Sequence, residues 1–270
     1  MRVVLMLTAL LLAFNTSAQR SSEVGVLLGA TYYSGDLNPT GHFNSNLMHR
    51  AAGVLFRRNI NSRWSFRLFG LYGKVSGNDA LVNNTLSANR SLSFRSNIVE
   101  GSGMFELNFF RYVASDNERY FTPTVFAGLG MFWMNPQAQT TDGSTYQDLR
   151  LQRTEGQIKE YSRLQPMLPF GVGARLKFSS RLLISLEYGL RKTWTDYLDD
   201  VSTTYPGTQG NTTNGLNSPG FQRGNSETKD WYVFSGITAT YRFGHKATAC
   251  WADRVNKSQS KAMNKSARQR

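Results

Sequence analysis

The chain has 270 residues, a formal net charge of +13, a single cysteine, and 24 Gly, 17 Phe and 12 Tyr. One cysteine excludes an internal disulfide framework, so stability must come from the fold itself. A balance this basic suits acidic partners, nucleic acid or anionic lipid among them.

The first segment decides between those partners. MRVVLMLTALLLAFNTSAQ has one Arg, an apolar stretch from Val3 to Phe14, and small residues ending at Ala18. It reads as a secretory signal peptide over residues 1–18. It is too short and wrongly flanked for a stable span, and no cysteine at the cleavage site offers a lipid anchor. An exported chain removes nucleic acid from the expected partners.

Eight segments then alternate apolar and polar residues with the period of a strand. The first, Glu23 to Tyr33, sets Val24, Val26, Leu28, Ala30 and Tyr32 against Glu23, Gly25, Gly29 and Thr31. The second, about Met48 to Arg58, is less regular, with Ala52, Val54 and Phe56 on its apolar face. The third sets Trp64, Phe66, Leu68 and Tyr72 against Ser65, Arg67 and Gly73; the fourth sets Val99, Phe105, Leu107 and Phe109 against Glu100, Ser102 and Glu106. The fifth, FTPTVFAGLGMFWM, and the sixth, with Leu168 to Phe178 opposing Gly171, Gly173, Arg175 and Lys177, repeat the pattern. So do the seventh, with Leu182, Ile184, Leu186, Tyr188 and Leu190 opposing Glu187 and Arg191, and the last, Trp231 to Phe243.

Two features distinguish a lipid-facing barrel from a soluble sandwich. The polar face mixes Gly, Ser and Thr with charges of both signs: Arg67, Glu100, Glu106, Arg175, Lys177, Glu187 and Arg191. A narrow lumen needs small residues and paired charges, because unpaired buried charge is costly. Aromatic residues such as Tyr32, Trp64, Tyr72, Trp133, Tyr188, Trp231 and Tyr241 stand near strand ends, as in membrane-barrel girdles. Short links (Asn59 to Ser62, Ala114 to Arg119, Ser179 to Arg181) alternate with long polar ones (Ser34 to Leu47, Ser76 to Ser91, Asn135 to Arg163, Thr195 to Asp230). The expected fold is all-β: an eight-stranded antiparallel transmembrane outer-membrane β-barrel with long external loops and short periplasmic turns. Residues 19–243 form the barrel, residues 244–270 form a basic tail, and an even strand count leaves both termini periplasmic. Eight strands leave an interior that side chains fill, which excludes a general porin or a protein conduit.

No pattern of catalytic or metal-ligating residues emerges. His42, His49 and His245 are scattered without metal-site spacing, and Gly128-Leu129-Gly130 and Gly171-Val172-Gly173 lie mid-strand rather than opening a helix, so they make room inside the barrel. Asp196, Asp199 and Asp200 crowd the end of the seventh strand, but their spacing does not fit the alternating ligands of a calcium loop. They read as a structural rim that caps turns and bonds backbone amides. The expectation is a non-enzymatic protein with no cofactor, no metal and no small-molecule substrate. The tail carries seven Lys or Arg, one Asp and Cys250, and reads either as a solvated segment or as a docking arm.

EVGVLLGATYYSGDLNPTGHF, YFTPTVFAGLGMFWMNPQAQ, TEGQ at Thr154 to Gln157, LPFGVGARLKFSSRLLISLEYGLRKTWTDYLDDVSTTY and the closing YRFG resemble the PorG-type outer-membrane barrels of Bacteroidetes. The resemblance spans nearly the whole mature chain. Its most specific parts are Asn135 and Pro136 of an NP-x-A segment, and Asp196, Tyr197, Asp199 and Asp200 of DYLDDVS. It implies a barrel set in outer-membrane lipid and associated with type IX secretion and gliding. Its expected partners are proteins of a periplasmic ring, a lipoprotein and its partner. The alternative is a stand-alone structural or adhesion barrel whose external loops bind a ligand.

Overall fold

A computed structural model describes residues 21–38, 45–81, 90–110, 120–140, 143–206 and 219–243. The segments read as signal peptide and basic tail, the link Ala114 to Arg119, His42, His245 and Cys250 lie outside the described residues.

Each alternating segment forms a strand: β1 (Ser21–Ser34), β2 (His49–Asn59), β3 (Trp64–Asn78), β4 (Ser93–Asn108), β5 (Phe121–Gln139), β7 (Leu164–Lys177), β8 (Leu182–Thr193) and β9 (Trp231–Phe243). A three-residue strand, β6 (Tyr146–Asp148), pairs only with the end of β5. The eight long strands pair antiparallel with their sequence neighbours, and β1 pairs with β9, so the sheet closes into an eight-stranded barrel. Closure leaves no strand edge to meet lipid with unpaired backbone groups. Ser22 pairs with Phe243, so the first and last described strands meet at the same rim as the short turns.

The period of two sorts the side chains by solvent. Leu28 and Leu129 point outward at 65% and 67% exposure, with Val26, Val54, Leu68, Val99, Phe105, Val172 and Ile237 on the same surface. Glu23, Arg57, Arg67, Glu106, Arg175 and Arg191 are buried inside. Apolar outside and ionic inside is the distribution of a barrel dissolved in hydrocarbon.

Three details differ from the sequence reading. β5 runs to Gln139, so Asn135 and Pro136 lie in a strand, paired with β4 as far as Gln137 and extended by β6, not in a loop. Tyr32, expected in the aromatic girdle, is buried and within hydrogen-bonding range of Ser235. The lumen also contains an apolar layer, Leu27, Ala51, Leu55, Phe69, Leu71, Met104, Phe126 and Phe234, where alternation alone suggested only small and charged groups. Glycine makes this layer possible: a Cβ at Gly171 would stand 2.7 Å from the Phe126 ring, and one at Gly189 3.0 Å from it.

One carboxylate organises the ionic part of the lumen. Glu23 accepts hydrogen bonds from Arg57 (3.0 Å), Asn59 (2.9 Å), Arg175 (2.9 Å to each oxygen) and Arg242 (3.1 Å). It thereby ties β1 to β2, β7 and β9 through a single side chain. Replacing it leaves three buried guanidinium groups short of a counter-charge. The expected cost of Glu23→Ala is about 3–5 kcal/mol, read as a lower urea midpoint for loss of the compact, SDS-resistant barrel. Ser21→Ala, at the rim, serves as the unaffected control.

Candidate functional site

Two polar systems fill the molecule from one rim to the other, and both are sealed. The first is the lumen network. Arg57 bridges Glu23 and Glu106 (3.0 Å each), and Arg67 bridges Glu106 (3.2 Å) and Glu187 (2.8 Å). Arg175 reaches Glu106 (3.3 Å) and Asn108 (3.1 Å) as well as Glu23. Farther along, Arg191 pairs with Glu100 (3.1 Å), which also accepts from Tyr232 (3.2 Å) and Ser102 (3.2 Å). Six cations, counting Arg242 and Lys177, therefore share four carboxylates. Aromatic faces take up part of the surplus: Arg67 lies 3.9 Å from the Phe126 ring centroid, and Arg191 lies 5.4 and 5.5 Å from Phe69 and Phe234.

The seven charged residues Arg67, Glu100, Glu106, Arg175, Lys177, Glu187 and Arg191 are buried here, as are Glu23 and Arg242, which alternation also sets on the polar face. Arg57 completes the set. Arg57 escaped because β2 alternates weakly, yet Leu55 and Arg57 share a face once Val54 and Phe56 are put outside.

The second system caps the long-loop rim, and the opening turn of the 194–230 segment is its centre. Seven carboxyl groups, Asp36, Asp79, Glu155, Asp196, Asp199, Asp200 and Asp230, meet only three described cations, Arg90, Arg223 and Lys229. Arg90 chelates Asp79 (2.7 and 2.8 Å) and donates to the Asp36 carbonyl (2.8 Å) and the Arg223 carbonyl (2.6 Å). Arg223 in turn donates to Thr154 (2.9 Å), Glu155 (3.1 Å) and the Asp200 carbonyl (2.6 Å). The Glu155 carboxylate takes the backbone N–H groups of Ser202 and Thr203. Four long links are thus stitched into one lid. Beneath them lies an apolar layer that includes Tyr33, Leu37, Val75, Phe94, Phe132, Leu198 and Val201.

Each aspartate of DYLDDVS has its own task. Asp196 accepts from the Ser202 hydroxyl (2.7 Å), and Asp199 from the Val201 N–H (2.9 Å). Asp200 sits in the left-handed region (φ 65°), held there by the hydroxyls of Thr154 and Tyr161. Tyr197 stacks on Tyr161, ring centroids 4.7 Å apart. Asn135 stands in the β5 extension, its N–H donating to Ser96 (3.0 Å), and Pro136 pairs across to Ser96 in the ladder.

The close carboxyl pair is Asp199 with Asp230, not two members of the sequence cluster. The Tyr33 hydroxyl lies 2.6 Å from both. One hydroxyl has one proton to donate, so the second short contact requires a proton on the Asp199–Asp230 pair. Burial of both, each 1% exposed, pushes their carboxyl groups well above the ordinary range; the Asp199 charge adds to it at Asp230 and the Asp36 charge at Asp199. Burial likewise raises Asp196 to about 6, with Ser202 and Lys229 opposing. Among the described residues, no three His, Cys, Asp or Glu side chains are placed to hold a metal ion.

A closed, inside-out, ion-filled barrel of eight strands defines a transmembrane protein of the outer-membrane β-barrel class. The chain belongs to the DUF6089 family, a domain of unknown function, whose profile matches residues 1–252. No curated protein matches it. Among solved structures it is similar to Ail, the attachment invasion locus protein of Yersinia pestis, in complex with a heparin analogue (11% identity, 83% of this chain, 99% of that chain, TM-score 0.42). It is also similar to Neisserial surface protein A (11%, 82% and 97%, TM-score 0.41) and to OprG from Pseudomonas aeruginosa (9%, 86% and 99%, TM-score 0.37).

The raised carboxyl groups fix the sign of the lid's pH response. A carboxyl whose folded pKa exceeds its unfolded value adds stability at low pH and loses it as pH rises through the folded value. Asp196 loses its share between about 4, its unfolded value, and about 6; the Asp199–Asp230 pair begins to lose its share at the same point and goes on losing it to higher pH. Amide protection factors in residues 196–202, exchange rates corrected for the intrinsic rate at each pH, should therefore be higher at pH 5 than at pH 8. Asp199→Asn, which needs no proton, should flatten most of that dependence.

Proposed function

We propose that this chain is a non-enzymatic, non-conducting outer-membrane subunit of the type IX secretion machinery that anchors or positions a periplasmic ring of a lipoprotein and its partner. The observation that carries the reading is the filled interior. Stacked ionic and apolar layers fill the lumen among the described residues, so the reading puts the protein's work outside the lumen. The resemblance carried by DYLDDVS, TEGQ and the NP-x-A segment supplies the machinery. In this reading the lid faces outward and the short-turn rim faces the periplasm. Residues 244–270, which follow Phe243 at that rim, supply a basic docking arm.

The second reading, an adhesion or structural barrel, is favoured by the stitched lid, which offers Ile158 at 89% exposure and Leu151 at 59% on its outer surface. Affinity purification from detergent extracts separates the two. Ring proteins should co-purify with the full chain and be lost on removal of residues 244–270, and gene deletion should abolish cargo secretion and gliding. Normal secretion and motility in the deletion strain would overturn the first reading. In planar bilayers the purified barrel should give no steady conductance steps under either reading.

A further inference from the structure

The four carboxylates on the barrel strands, Glu23, Glu100, Glu106 and Glu187, all point inward. The lipid-facing surface therefore carries cations without carboxylates, and the cations are not spread evenly. Arg50 on β2, Lys74 on β3 and Arg95 on β4 stand on three consecutive strands, all toward the long-loop rim. Lys74 pairs with Asn97 and Ser76 with Arg95 in the β3–β4 ladder, which sets Lys74 and Arg95 side by side. Arg50 lies two residues past the last β2–β3 pair, Ala52 with Tyr72, on the same side. Among the described residues no carboxylate pairs with any of the three. Arg95 is fixed against the Tyr146 ring, 3.0 Å from its centroid, and near Gln137.

Directly below the patch the same strands form a groove of about 470 Å³. It exists because Gly70, Gly101 and Gly103 present no side chain outward, between walls that include Val54, Leu68, Leu129 and Met131. Lys74 is four residues above Gly70, about 13 Å along the strand and about 10 Å in depth at a tilt of about 40°. A separation of about 10 Å fits a groove near mid-hydrocarbon with the cations at the headgroup boundary, since the apolar band of such barrels is about 25 Å tall. The opposite face has a groove of the same volume beside β7, β8 and β9, but the outward cation above it is Lys192 alone, 5.7 Å from the Trp231 ring centroid.

We infer that the β2–β4 face is a lipid-binding site for one outer-leaflet lipid that bears phosphate monoesters. Its headgroup phosphate lies against Arg50, Lys74 and Arg95, and an acyl chain fills the glycine groove. A phosphate monoester carries more charge than the phosphodiester of a common phospholipid, and it suits three cations that have no carboxylate partner among the described residues. The Arg guanidinium forks supply the directional hydrogen bonds.

The test is native mass spectrometry of the full barrel released from nanodiscs of phosphatidylcholine doped with lipid A, phosphatidylglycerol or nothing further. The wild type should retain lipid A in preference to phosphatidylglycerol. The triple variant Arg50→Gln, Lys74→Gln, Arg95→Gln should retain about tenfold less or lower still, because each cation near the surface contributes to binding. Gly101→Leu should reduce retention with all three cations in place; a Cβ at this position meets nothing within 4 Å, so the barrel should fold. Lys192→Gln should leave retention unchanged. Equal retention by the wild type and the triple variant, or a loss with Lys192→Gln as large as with the triple variant, would overturn the site.

Discussion

The structure depends on one buried carboxylate more than on any other group. Glu23 sits at the start of β1, next to the seam where the last strand returns to the first, and takes Arg242 across that seam. The same carboxylate holds Arg57 on the neighbouring strand and Arg175 across the lumen. Backbone pairing alone closes the sheet; Glu23 fixes which cations share its interior. Burying an ion pair is costly unless each ion is well surrounded. Glu23, Glu106 and Glu187 meet that condition by each serving more than one guanidinium. Among the described residues the lumen is consequently filled by paired side chains and an apolar layer.

The two ends of the molecule manage opposite charge surpluses by different chemistry. Inside the lumen, cations outnumber carboxylates, and the flat faces of Phe69, Phe126 and Phe234 accept the excess. At the lid, carboxyl groups outnumber cations, and the excess is handled by protons and by donated hydrogen bonds from Tyr33, Tyr161, Thr154 and Ser202. In the first solution the surplus charge is guanidinium, which keeps its proton. In the second it is carboxyl, which does not, so the stability of the lid follows the surrounding medium.

How much of this was legible follows from the range of each signal. Alternation is local, and it located all eight barrel strands and the inward side of Arg67, Glu100, Glu106, Arg175, Lys177, Glu187 and Arg191. It was blind to β6 and to the extension of β5, because three residues such as Tyr146–Asp148 are too few to show a period. It passed over Arg57 because β2 alternates weakly and Arg58 stands beside it, although the outward Val54 and Phe56 put Arg57 inside. The aspartates of DYLDDVS were visible as a cluster and as a rim. Their true neighbours were not: Tyr33 and Asp230 approach Asp199 from 166 residues upstream and from the far end of the same loop. Arg90 and Arg223, which hold the lid together, carry no local mark at all, since their partners are carbonyls and carboxylates of other loops.

A barrel with a solid core and a stitched lid has three surfaces left with which to act: the lid, the short-turn rim and the lipid-facing wall. The wall shows the strongest selection of residue type. Every barrel-strand carboxylate is withdrawn from it, while Arg50, Lys74 and Arg95 remain outward at one level. Solubility in hydrocarbon does not explain that asymmetry, because Lys and Arg cost at least as much as Asp and Glu at the lipid face, and the cost falls toward the interface for both. What separates the two signs is the headgroup region, where phosphate rewards a cation and repels a carboxylate. The cations therefore report the chemistry of the leaflet at the long-loop rim. The glycines below them, which weaken strands and bury nothing of their own, have a use once a lipid chain supplies the missing side chains.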